Sequence, residues 1–173
     1  MSLDVNNNMT PIQNLIQSKI YEPCALVITN YKVEKEGAAY EACRFTLNNS
    51  YVICRTAKIT PKKIGQFVTF WKRNTEGVTE PFSETDAFDF YVINVSKDEQ
   101  FGQFVIPKAV GVAKGLVSTV TKEGKRGFRV YPPWDLPTNN QAKRTQSWQL
   151  DYFVSLEGTI NFDWVTKLYA NNN

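Results

Sequence analysis

Two runs near the middle of the chain, AFDFYVINV (87–95) and FGQFVIP (101–107), are separated only by the polar group SKDEQ. Both are rich in β-branched and aromatic residues and both are bounded by turn-forming positions, so they read as strands. A chain that carries such strands must build a sheet and cover it. QFVTFWK (66–72) and GFRVYP (127–132) add two more strands, and AYEACRFTL (39–47) with YVICRTAKI (51–59) flank NNS as a hairpin. Residues 25–33 suit a strand or a second helix, and periodicity does not decide between them. Helix signals sit at the flanks. Thr10 and Pro11 form an N-cap and first-turn proline, and Ile12, Leu15, Ile16 and Ile20 share one face, which predicts a helix over about 11–20. Thr60 and Pro61 repeat that signal, but Gly65 limits it to one turn. A short helix is expected over 108–116, a polar one over 139–153 capped by Asn139 or Asn140, and a last one over 161–170. The expected fold is α+β, one domain over residues 1–173 with a mixed or mainly antiparallel sheet of five to seven strands and flanking helices. A restriction-endonuclease-like sheet falls within that class. Residues 1–9 and 171–173 are expected to be disordered.

At 173 residues the chain can bury about 70% of its unfolded surface, enough to fold without metal or disulfide staples. It contains no histidine, which excludes histidine-dependent triads, metal ligands and general bases. Cys24, Cys43 and Cys54 show no C-x-x-C spacing and read as free thiols. With no apolar run near the roughly 20 residues that span a bilayer, and no signal-peptide pattern, membrane insertion is not expected and a cytoplasmic location is. Charge is uneven: residues 58–145 hold 14 Lys and Arg against 9 Asp and Glu, while the net charge of the whole chain is +3.

That middle segment holds the candidate sites. The stretch EGKRGFRVYPPWD (123–135) interleaves Lys125, Arg126 and Arg129 with Phe128, Tyr131 and Trp134. Cations neutralise phosphates and rings stack on bases, so the pattern suits nucleic acid or a nucleotide phosphate, with Lys62 and Lys63 adding charge. Strand alternation sends Phe128 and Val130 to the core and leaves Arg129 and Tyr131 on the surface, while Pro132 and Pro133 end the pairing before Trp134. A second pattern lies in PFSETDAFDF and IPK. Asp89 on one strand and Lys108 at the end of the next resemble the acid and lysine of Mg²⁺-dependent nucleases, with Asp89 as metal ligand and Lys108 steadying water or developing charge. The position of the second acid, however, is Ile106. A third reading is a small hydrophobic cation held by Trp134 with Asp135 or Glu84. No cofactor is demanded by any of these, and Mg²⁺ is the ion the second would hold. Gln146, Gln149 and Tyr152 fall at near-helical spacing, which an ordinary half-buried helix explains.

Five blocks in order, RTAKITPKKIGQFVTFWKR, PFSETDAFDF, FGQFVIPK, GKRGFRVYPPWD and TQSWQ, resemble the MepB-like family of small bacterial proteins over roughly residues 40–153. The resemblance implies a single α+β domain of bacterial cytoplasmic origin and a gene neighbourhood linked to multidrug efflux. It implies no particular reaction, so whether the chain is an enzyme stays open at this point.

Overall fold

The computed structural model describes residues 8–170. Helix α1 (Pro11–Ile16) begins where the sequence signals it, with the Thr10 hydroxyl accepting from the Gln13 backbone N–H at 3.3 Å. It loosens into a π-helical turn (Gln17–Tyr21) and a 3₁₀ turn (Glu22–Cys24), ending on Ala25 in the left-handed region. The segment left open between strand and helix becomes strand β1 (Ile28–Val33). It pairs with β2 (Cys43–Leu47), and the expected hairpin takes β2 into β3 (Ser50–Thr56).

A long crossover follows, holding β4 (Lys58–Ile59), β5 (Gln66–Thr69), β6 (Lys72–Arg73) and β7 (Thr79–Glu80). The two opening runs then form β8 (Phe90–Lys97) and β9 (Gln100–Pro107), and β9 leads directly into α2 (Lys108–Ala113). The chain continues through β10 (Gly127–Val130), α3 (Asn140–Gln149), β11 (Phe153–Ser155) and α4 (Phe162–Ala170). The main sheet has six strands in the order β1-β2-β3-β8-β9-β11. All its pairs are antiparallel except β3 with β8. This is the mainly antiparallel α+β arrangement the sequence predicts.

Strand β8 is buried on both faces from Phe90 to Val95, so its alternating side chains feed two cores. Phe90 and Val92 join Cys54, Val105 and Val154 beneath Ile16, Ile20, Val165 and Leu168, so α1 and α4 cover that face. Tyr91, Ile93 and Val95 join Phe104, Ile106, Val68, Phe70 and Val130 on the other face. The cover there is a second sheet, β10-β5-β4. The runs QFVTFWK and GFRVYP are therefore strands, but they pair with each other rather than entering the main sheet.

Two further differences concern local structure. Residues 60–65 form an open turn and not a helical turn. The Thr60 hydroxyl, which would have capped such a helix, instead accepts from Arg129 Nη2 at 2.7 Å. Residues 1–7 and 171–173, most of the termini expected to be disordered, lie outside the described residues, whereas Met9 is buried in the helix-side core.

A buried polar ring fastens the two covering helices to the sheet. Tyr21 and Tyr169 share a hydrogen bond of 2.8 Å, Tyr169 donates to Gln103 Oε1 at 2.7 Å, and Gln103 Nε2 returns to the Tyr21 oxygen at 3.3 Å. Burial pushes both phenols above their ordinary range, so they remain neutral donors. Every polar atom thus withdrawn from water regains a partner, which is the condition for such a network to be tolerated.

Candidate nucleic-acid interface

Arg129 organises the surface of the small sheet. It lies on β10 opposite Phe67, and its guanidinium reaches the 60–65 turn, donating to Thr60 Oγ1 and, at 3.3 and 3.5 Å, to the carbonyls of Ile64 and Gly65. The turn is thereby pinned beside Tyr131, and Lys62 and Lys63 stand exposed at the groove that results. Gly65 is needed for this approach. Its φ is +86°, and a Cβ there would lie 2.7 Å from the Tyr131 ring and 2.9 Å from the Val130 carbonyl oxygen. Gly65→Ala combines a left-handed backbone with a clash and should cost about 2 kcal/mol in urea unfolding; a loss below a few tenths would mean that Tyr131 is free to move aside.

The other wall is the start of α3. Asn139 caps it, its side chain accepting from the Ala142 N–H at 2.8 Å, and the first turn carries no acidic residue. Two adjoining concavities, of about 420 and 220 Å³, share Arg129, Tyr131, Asn139 and Ala142. Lys62 and Lys63 line the first and Lys125 the second, and among the described residues no carboxylate lines either. Phe128 and Val130 point inward, as strand alternation requires.

Two glutamines that the sequence presents as ordinary helix residues shape this wall from behind. Gln149 is buried, accepts from the Tyr131 N–H at 2.9 Å and donates to the Arg129 carbonyl at 2.9 Å, so it extends β10 as a substitute strand partner. Gln146 Nε2 donates to the carbonyls of Pro132 and Asp135 at 3.0 and 2.8 Å, fixing the proline segment. No sequence signal reveals these roles, because the partners are backbone groups brought close only by the fold.

The remaining candidates sit elsewhere or are partly committed. Arg126 turns away, donating to the Thr79 carbonyl at 3.0 and 3.3 Å and to Glu123 at 2.8 Å. Trp134 packs edge-on against Phe153 and lines a third concavity with Lys62, Lys63, Lys97 and Asp135. Asp135 is largely shielded, and burial raises its pKa despite Lys97 at 3.7 Å. A carboxyl that holds its proton more tightly when folded stabilises the protein at low pH, and that contribution is lost as pH rises through its raised value. Asp135→Asn should therefore raise the melting temperature at pH 7, with the difference vanishing below about pH 3.9, the ordinary carboxylate value; a constant difference across that range would place the effect elsewhere.

Asp89 and Lys108 do occupy neighbouring strand ends, but each is engaged locally. Asp89 Oδ2 accepts from the Tyr51 N–H at 2.7 Å. Lys108 Nζ donates to the Glu84 carbonyl at 3.1 Å and to that of Asp86, and lies 4.6 Å from the Phe88 ring centre. Ile106 is fully buried, and among the described residues no three His, Cys, Asp or Glu side chains lie together as a metal site. This donor set does not fit Mg²⁺, since one carboxylate already hydrogen-bonded to backbone gives a hard cation too few oxygens. Neither Asp89 nor Lys108 lines the basic groove.

A six-stranded, mainly antiparallel sheet with helices on one face and a small second sheet on the other places the chain in the α+β class. The MepB-like family model matches residues 34–155, and the chain belongs to that family. The crystal structure of MepB is similar at 32% identity with a TM-score of 0.76, covering 87% of this chain and 100% of that one. A bacterial homing endonuclease aligns at 16% identity and a TM-score of 0.45 over 80% of this chain and 86% of its own, too distant to bear on function. No curated protein matches the chain. Among the described residues no helix is long and apolar enough to cross a membrane.

Proposed function

We propose that this protein binds nucleic acid or a nucleotide phosphate in the groove between the 60–65 turn, β10 and the start of α3. The supporting observation is the concentration of Lys62, Lys63, Lys125 and Arg129 around Tyr131 and a helix N-terminus, with no lining carboxylate among the described residues. Cations release condensed counterions from phosphate, the positive end of the α3 dipole favours anions even with Asn139 as its cap, and a half-buried tyrosine presents a stacking face. A cytoplasmic setting, in which Cys43 and Cys54 would stay reduced, belongs to the same reading.

Binding of a fluorescein-labelled oligonucleotide and of ATP at low salt tests it. The variant Lys62→Glu/Lys63→Glu should lose about tenfold or more in affinity, and wild-type binding should fall steeply with salt. Equal affinity of wild type and variant, or no binding at low salt, would overturn the proposal. The hydrophobic-cation reading is weaker because Lys97 faces Asp135 and two further lysines share that concavity, which repels a positive ligand. For a nuclease reaction the described residues around Asp89 supply no set of metal donors.

A further inference from the structure

The basic groove does not end at α3. The concavity at Lys125 and Arg129 shares Gln141 and Thr145 with another on the outer face of the helix, of about 410 Å³, lined by Lys114, Arg144 and Trp148. At its opposite end the groove shares Lys62, Lys63 and Ile64 with the concavity at Trp134 and Lys97. Four concavities thus run in series, each sharing lining residues with the next. Half-buried rings occur along the way at Trp134, Tyr131 and Trp148, and each has cations beside it. Lys114 Nζ lies 5.3 Å from the Trp148 ring centre. Among the described residues, carboxylates line only the two outer concavities, as Asp135 and Asp151. Among the described residues Lys62, Lys63, Lys114, Lys125 and Arg144 form no ion pair, so their charge is not already neutralised.

A mononucleotide would use one of these concavities and leave the rest without purpose. Recurrent cations give a polyanion successive phosphate contacts, and recurrent rings serve only a strand whose bases are unpaired. On the groove reading above, we infer that the ligand is a single-stranded polynucleotide lying along this track, with Lys114, Arg144 and Trp148 as a second contact station across α3. Single-strand grooves of this type hold roughly 4–16 nucleotides. Five unpaired cations predict a slope of log affinity against log salt of about −3.5.

The test uses the full chain with ATP and with oligothymidylates of about 4, 8 and 16 nucleotides, a range chosen from single-strand site sizes. Affinity should rise with length and then level off. Lys114→Glu/Arg144→Glu alters only exposed side chains, so folding should survive, and a melting curve checks this. That variant should lose about tenfold for the longest oligomer, reduce the salt slope by about 1.4, and leave ATP binding within about twofold. Trp148→Ala should weaken the long oligomer without changing the slope. If ATP and the long oligomer bind alike, or the far variant binds the long oligomer like wild type, the track is overturned while the groove stands. Equal affinity for a duplex of the same length overturns the single-strand assignment. No binding of any probe removes both the groove and the track.

Discussion

Arg55→Ala is expected to cost about 3–4 kcal/mol, which for a chain of this size lowers the melting temperature by roughly 6–16 °C. Arg55 is an arginine within a sheet core, its side chain only 2% exposed. Nη1 donates to Glu34 Oε1 at 3.2 Å and to the Cys54 carbonyl at 2.9 Å, while the guanidinium lies 5.3 Å from the Phe70 ring centre. Phe70 stacks on Tyr91 at 4.1 Å, so the arginine supports the aromatic layer on which the small sheet rests. Truncation leaves a void beneath those rings and removes one of the two cations on Glu34, Arg44 being the other. Pairing Arg55→Met with Glu34→Gln should recover much of the loss, because methionine refills the space and the desolvation cost of the buried guanidinium and of its partly shielded partner is removed together. Thermal and urea melts that place Arg55→Ala within a degree of the parent would show that the guanidinium carries little of the packing.

Gln149→Leu should cost about 3 kcal/mol, since leucine fills the space but strands the Tyr131 N–H and the Arg129 carbonyl without partners. The same change should weaken oligonucleotide binding several-fold, because both groove residues hang on that clip. Gln149→Glu should cost at least as much, because it keeps an acceptor for Tyr131 but buries a carboxylate against the Arg129 carbonyl with no donor between them. A Gln149→Leu protein of unchanged stability would mean that β10 is held by its pairing with β5 alone.

Much of the architecture is legible in local chemistry. The Thr10–Pro11 helix start, the β2–β3 hairpin, the Asn139 cap and the inward turn of Phe128 and Val130 all follow from interactions spanning a few residues. What is not legible depends on distant partners. Thr60–Pro61 carries a valid helix signal, yet Arg129, far along the chain, takes the hydroxyl that would have served as cap. The runs containing β5 and β10 read correctly as strands, but strand character does not say which sheet receives them. Of the candidate residues, Lys62, Lys63, Lys125, Arg129 and Tyr131 line two adjoining concavities. Gly65, Asn139 and Gln149 complete the groove through backbone geometry, which spacing in sequence does not encode. Asp89 and Lys108 show the reverse case: adjacent strand ends bring the residues near, and ordinary backbone acceptors and donors then occupy them.

The Tyr21–Gln103–Tyr169 ring holds the first and last helices together on one side of the main sheet, whereas the groove belongs to the layer on the other. Pro11 and Ala170 therefore lie in the layer on the face of the main sheet opposite the small sheet. A tether attached beyond either point would anchor the molecule to a sensor surface with the groove facing solution, so N- and C-terminally immobilised protein should report the same affinity for a long oligonucleotide.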